Sequence, residues 1–350
     1  MRRRLFAALF ALVMMPLASV SALAERTVTD QLGRKVALPD AVSRAVVLQH
    51  QTLNLVVQMD AADKLVGILD EWKRQLGSSY ARLAPALSTL PMPGGLTKVN
   101  IEALLQLKPD VVFVTNYAPA EMIGQIDKAG IPVVAISLLT ASPAEATKVS
   151  PLVADEEAAY ESGFAEGVRL IGTVLDRKAQ AEELIAYAQA KRALVADRLA
   201  SVTPAQRASA YMANPDLNTY GSGKYTGIMM RRAGAANVAA SLQGFKQVTM
   251  EDVLKWNPSV IFVQERYPEV VEEIKRAPAW QPVAAVRSGR IHLMPEYAKA
   301  WGYPMPEALA LGELWMAKKL YPDRFADIDM QAEADAYYRR FYRTGYDSFH

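Results

Sequence analysis

Along the chain, short apolar runs alternate with stretches of mixed polarity. "RTVTDQLGRKVALP" (26–39) alternates polar and apolar positions around a Gly turn, the pattern of a β-hairpin. "RAVVLQ" (44–49) predicts a short buried strand. "LNLVVQMDAADKLVGI" (53–68) predicts helix, turn and strand, with Leu55, Val56 and Met59 on one helical face. "NIEALLQLKPDVVFVT" (100–115) predicts a helix, a break at Lys108-Pro109 and a buried strand. "AEMIGQIDKAGIPVVAIS" (120–137) repeats that pattern, with Gly130 ending the helix. Continuous apolar strands separated by helices belong in a parallel sheet covered on both faces, which makes the first part of the chain α/β.

Residues 154 to about 201 read differently, as two Pro-free helical segments joined near Asp176-Arg177. The second has apolar residues at 184, 185, 188, 194, 195 and 199. At about 1.5 Å per residue, roughly 23 residues span some 35 Å, enough to run the height of two lobes. After Pro204 the α/β pattern resumes, with strands at 207–214 and 289–295, a helix within 225–239 that ends at Gly234, and helices at 306–322 and near the end. One unit occurs twice: "IEALLQLKPDVVFV" (101–114) returns as "MEDVLKWNPSVIFV" (250–263), each with a Glu (Glu102, Glu251) seven positions before a Pro. The expected division is a leader at 1–24, an N-terminal α/β lobe at 25–175, a bridging helix at 176–203 and a C-terminal α/β lobe at 204–350.

Composition narrows the class. Arg2, Arg3 and Arg4, the apolar run "LFAALFALVMMPLASV" and Ala22-Leu23-Ala24 have the form of a cleavable secretory signal. The chain has no Cys, which excludes disulfides, thiolate metal sites and a lipidated Cys at the cleavage point. Export without an anchor points to the periplasm. Removing the signal leaves 39 − 3 = 36 basic against 37 acidic residues, a balance of −1 that gives nucleic-acid binding no electrostatic support. The 350 − 24 = 326 residues that remain allow two lobes with separate cores.

In order and spacing, the duplicated Glu-to-Pro unit, "TDQLGRKVALP", "GIMMRRAGAANVA" and "LGELWMAKKLYPDRF" resemble the periplasmic binding proteins of ATP-driven importers, within the class that carries iron–siderophore, haem and cobalamin. The resemblance covers essentially the whole mature chain. It implies two Rossmann-like lobes with mainly parallel sheets, joined by a single long α-helix, with a ligand cleft between them. It also implies that Glu102 and Glu251 dock on the two permease subunits. A carboxylate at a helix N-terminus is favoured by the dipole and normally exposed, which agrees with that role. The expected protein is a monomer with no cofactor and no membrane insertion.

Loops following the strands define the expected cleft. They supply Trp72, Tyr117, Tyr220, Arg266, Tyr297 and Trp301 as ligand contacts, with His50, Lys73, Tyr225 and Tyr303 beside them. Aromatic faces and cations suit a bulky anionic ligand, and a ferric siderophore is the first expectation. Haem, cobalamin and an oxyanion such as molybdate are the alternatives. Only His50, His292 and His350 are available as imidazoles, so a bare-metal site is not expected, although His50 or a cleft Tyr could touch a chelated metal. No nucleophile elbow, P-loop or H-E-x-x-H motif is present, so an exported enzyme is the disfavoured rival.

Overall fold

A computed structural model describes residues 25–77 and 79–346. The signal sequence expected at 1–24 and His350 lie outside these residues. Strands β1 (Glu25–Thr29) and β2 (Lys35–Pro39) form the antiparallel hairpin. The first lobe then runs β3 (Ala45–Val47), α1 (His50–Gln58), β4 (Leu65–Ile68) and two short helices, α2 (Trp72–Leu76) and α3 (Tyr80–Leu83). It continues with α4 (Ile101–Gln106), β5 (Val111–Thr115), α5 (Ala120–Lys128) and β6 (Val133–Ile136). All strand pairs in its sheet are parallel, in the order β4-β3-β5-β6.

Helices α6 (Glu156–Val174) and α7 (Lys178–Leu199) follow as an antiparallel pair. Asp155 caps α6 through its side chain, and Asp176, with φ 54°, turns the chain between the two helices. The second lobe contains β7 (Ala208–Ala213), β8 (Asn218–Tyr220), α8 (Tyr225–Arg232), β9 (Ala235–Asn237) and β10 (Phe245–Gln247). After these come α9 (Met250–Trp256), β11 (Val260–Val263), α10 (Pro268–Arg276), α11 (Ala284–Arg287) and β12 (Ile291–Leu293). A π-helical turn at Ala308–Gly312 leads into α12 (Glu313–Leu320), and α13 (Met330–Phe341) closes the chain. The second parallel sheet has the order β12-β11-β7-β9, while β8 and β10 form a separate antiparallel pair.

Numbered within each lobe, both main sheets have the same strand order, 2-1-3-4. The repeated unit supplies the third strand in each, β5 and β11. Alternate residues on these strands face different cores. In the first lobe Val46, Leu48, Val112 and Val114 face one core with α5; in the second, Tyr211, Ala213, Ile261 and Val263 face another with α10. The opposite faces, with Val47 and Phe113 in one lobe and Met212 and Phe262 in the other, join a single continuous core with α6, α7, α12 and α13. The expectation of separate cores therefore holds only for the outer faces. The inner faces merge because the helices after residue 150 and the C-terminal helices pack on both sheets.

The merged region also contains a buried polar tie between the lobes. Glu307, fully buried, accepts hydrogen bonds from Asn54 Nδ2 at 3.0 Å, Gln58 Nε2 at 3.1 Å and the Tyr342 hydroxyl. A buried carboxylate is tolerated only with such a set of donors.

Candidate functional site

An open α/β sheet leaves a crevice at the carboxyl ends of its strands, at the point where the strand order reverses. In these sheets that point lies between β3 and β5, and between β7 and β11. Asn116, Asn214 and Gln264 directly follow β5, β7 and β11, and Gln49 stands one residue further on, after Leu48 at the end of β3; each is a buried amide at the end of an apolar run. Their hydrogen bonds shape the loops. Gln49 accepts from Thr52 Oγ1 at 2.5 Å, and Asn116 Nδ2 donates to the Ala146 carbonyl at 2.7 Å. Gln264 Nε2 donates to Asn214 Oδ1 at 2.6 Å and to the Tyr220 hydroxyl at 3.3 Å.

Next to these amides stand the charged groups. His50 is the first residue of α1, a helix buried throughout whose first-turn N–H groups have no side-chain cap among the described residues. Burial, and then the nearby Arg266 guanidinium of the other lobe, lower the His50 pKa to about 3 and hold the ring neutral. His50 Nδ1 is buried without a hydrogen-bond partner among the described residues. Arg266 donates through Nε to Gln264 Oε1 at 2.9 Å and stacks 4.6 Å from the Trp301 ring centroid. Trp301 Nε1 donates to Glu265 at 2.9 Å, and the fully buried Lys299 ammonium lies 4.7 Å from the same indole. Lys299 comes within 3.7 Å of Glu296 but makes no hydrogen bond among the described residues. Its backbone is left-handed, with φ 46°.

A second contact crosses the lobes alongside. Lys224 Nζ donates to the Val149 carbonyl at 2.6 Å and lies 5.2 Å from the Tyr303 ring. Burial lowers its pKa to about 8. Tyr303 is hydrogen-bonded to Tyr117 and sits near Tyr160 and Tyr220; burial, first of all, raises its phenol well above the usual value. Tyr160 on α6 donates to the Gly223 carbonyl at 3.2 Å. The cavity between Asn116, Ser137, Lys148, Tyr160 and Tyr303 has a volume of only about 10 Å³.

The structure thus brings together His50, Tyr117, Tyr220, Arg266, Trp301 and Tyr303. It sets other candidates apart. Trp72 is 2% exposed in the core of the first lobe, with Lys73 outside it at 5.4 Å from the ring. Tyr225, 1% exposed, donates its hydroxyl to buried Glu313 at 2.5 Å, and Tyr297 packs edge-on to Tyr346 at 5.3 Å. His292 belongs to β12, against Phe262 and Trp315. Glu102 and Glu251 are exposed in the first turns of α4 and α9, remote in sequence and on equivalent elements. Among the described residues no cluster of His, Asp and Glu is disposed to hold a metal ion. Sequence reading missed Tyr160, Glu265 and the four amides. The amides carried a usable signal, since each directly follows a buried apolar run.

Two larger grooves, of about 760 and 690 Å³, lie beside α7 and α8 and share Arg207 and Arg231. Neither is lined by His50, Arg266 or Trp301.

Two parallel sheets of the same strand order, a shared core and buried amides at both reversal points are the architecture of a two-lobed solute-binding protein. Residues 46–298 match the family model described as periplasmic binding protein, and the chain belongs to that family. The molybdate-binding protein MolA of Haemophilus influenzae is 59% identical over 329 residues, covering 94% of each chain. The solved structure of that MolA with molybdate bound has a TM-score of 0.88 at 58% identity, over 92% of this chain and 99% of that one. A periplasmic solute-binding protein of Veillonella parvula has a TM-score of 0.75 at 26% identity, over 93% and 95%. The family and these relatives are solute-binding proteins of transport systems, not enzymes.

Proposed function

We propose that this protein captures a tetrahedral oxyanion, molybdate, in the periplasm and delivers it to an ABC importer. The observation that carries the reading is the pairing of Arg266 from one lobe with buried His50 and the uncapped start of α1 from the other. A small dianion can accept hydrogen bonds from all of these at once, and a helix N-terminus favours negative charge. The contacts that cross between the lobes argue the same way. A ferric siderophore or haem would need the Lys224–Val149 and Tyr303–Tyr117 contacts to part. The identity to a molybdate-binding relative supports the oxyanion over the ferric chelate first expected.

Delivery needs a docking face. Glu102 and Glu251 stand on equivalent helices of the two lobes, exposed and with no partner among the described residues, and they suit basic sockets on two like permease subunits.

Trp301 gives the test, because Arg266 stacks on it. Titration with sodium molybdate should change tryptophan emission with saturation, and sulfate, phosphate and a ferric catecholate siderophore should be weaker. Arg266→Ala should weaken molybdate binding at least ~30-fold, as expected for loss of a charge-assisted hydrogen bond at a desolvated site. Saturable binding of the siderophore with no response to molybdate would overturn the reading.

A further inference from the structure

The repeated unit carries more than its two glutamates. Over residues 101–110 and 250–259 the order of exposed, half-buried and buried positions is identical. The left-handed residues also coincide, Lys108 at φ 45° and Asn257 at φ 43°. Helices α4 and α9 therefore show the same face to solvent. On each, the residue three positions after the glutamate is an exposed leucine, Leu105 at 47% and Leu254 at 39%. Residues at i and i+3 are neighbours on a helix surface, so each leucine sits beside its glutamate.

Packing does not account for these leucines. The residue before each, Leu104 or Val253, is fully buried and already fixes the helix to its lobe. A single exposed Leu is ordinary. Here, however, seven large apolar side chains are exposed among the described residues, and two of them fall at matched places in the two lobes. On α9 the second acid, Asp252, is bound into the helix cap by Thr249, its carboxylate accepting from Oγ1 at 2.7 Å. Glu251 is left as the free acid of that turn.

We propose that Leu105 and Leu254 are apolar docking anchors. Each lobe would offer one carboxylate and one leucine to one of two like membrane-spanning subunits, which must then carry a basic socket with an apolar margin, present twice. This rests on the docking role of Glu102 and Glu251 given above and adds the component that salt does not screen. Exposed charge pairs mainly orient and accelerate encounter, while burial of an apolar side chain slows release.

The test uses the mature protein, without added ligand, titrated onto its own permease complex in nanodiscs at low and high salt. Leu105→Ser with Leu254→Ser should weaken binding at least tenfold at both, roughly one tenfold step being what partial burial of a leucine supplies. Leu105→Met with Leu254→Met should restore it, and the molybdate titration should be unchanged in both variants. Wild-type affinity in the serine variant would overturn the proposal. Glu102→Gln with Glu251→Gln separates the two claims, since its loss should be largest at low salt. If that variant binds normally while the serine variant does not, the leucine anchors stand and the carboxylate role falls. If neither variant changes, both fall.

Discussion

The imidazole of His50 meets Arg266 across the lobe boundary, and its pKa is lowered from 6.5 to about 3 by burial first and by that guanidinium second. The unfolded chain takes up a proton near 6.5 that the folded chain refuses, so His50 costs the folded state stability as pH falls from 6.5 towards 3. By pH 5 the loss is about 2 kcal/mol, at about 1.36 kcal/mol per pH unit. His50→Gln removes the proton binding from both states. In ligand-free protein, the fall in urea-unfolding free energy between pH 7 and pH 5 should be about 2 kcal/mol smaller in the variant than in the wild type. Equal falls would contradict this placement of the ring. At this scale the sequence was only partly readable. His50, Tyr117, Tyr220, Arg266, Trp301 and Tyr303 were foreseen as neighbours because they follow strands. Trp72, Tyr225 and Tyr297 follow strands equally well, yet they turn inward. What orients Tyr225 is Glu313, 88 residues away, and no local pattern records that distance.

The main strands and helices of both lobes were readable because each is an apolar run bounded by Gly, Pro or a capping residue. The pairing of β8 with β10 was not, since three-residue strands with an exposed partner such as Phe245 leave no periodic trace. Nor could polarity alone reveal that α6 lies directly on the loop after β6. Gly163 on α6 shows why the fit is close: an added Cβ would stand 2.3 Å from Leu139 Cα. Gly163→Ala should therefore lower stability by about 2 kcal/mol or more, overpacking exceeding the gain of about 1 kcal/mol in helix propensity. Gly124 on α5 has open space around its Cβ direction, and Gly124→Ala should raise stability by about 0.5–1 kcal/mol. Urea midpoints of the two variants should move in opposite directions. A rise for Gly163→Ala would mean that α6 is not seated against Leu139.

Taken whole, the molecule is two similar sheets whose inner faces share one core. The continuous core and the Glu307 tie hold the lobes together. His50, Arg266, Lys224 and the interlobe tyrosines lie at the lobe boundary. Such an arrangement suits a small ion held by groups from both lobes. The lobe architecture could be foreseen from the repeat, but the merging of inner cores could not, since it depends on where the C-terminal helices return. A crystal of the protein grown with sodium molybdate, measured across the molybdenum absorption edge, tests where the cargo lies. One anomalous peak between His50 and Arg266, within hydrogen-bonding reach of both, is the expected result. A peak in the groove beside Arg207 and Arg231, or no peak with the crevice unchanged, would contradict it.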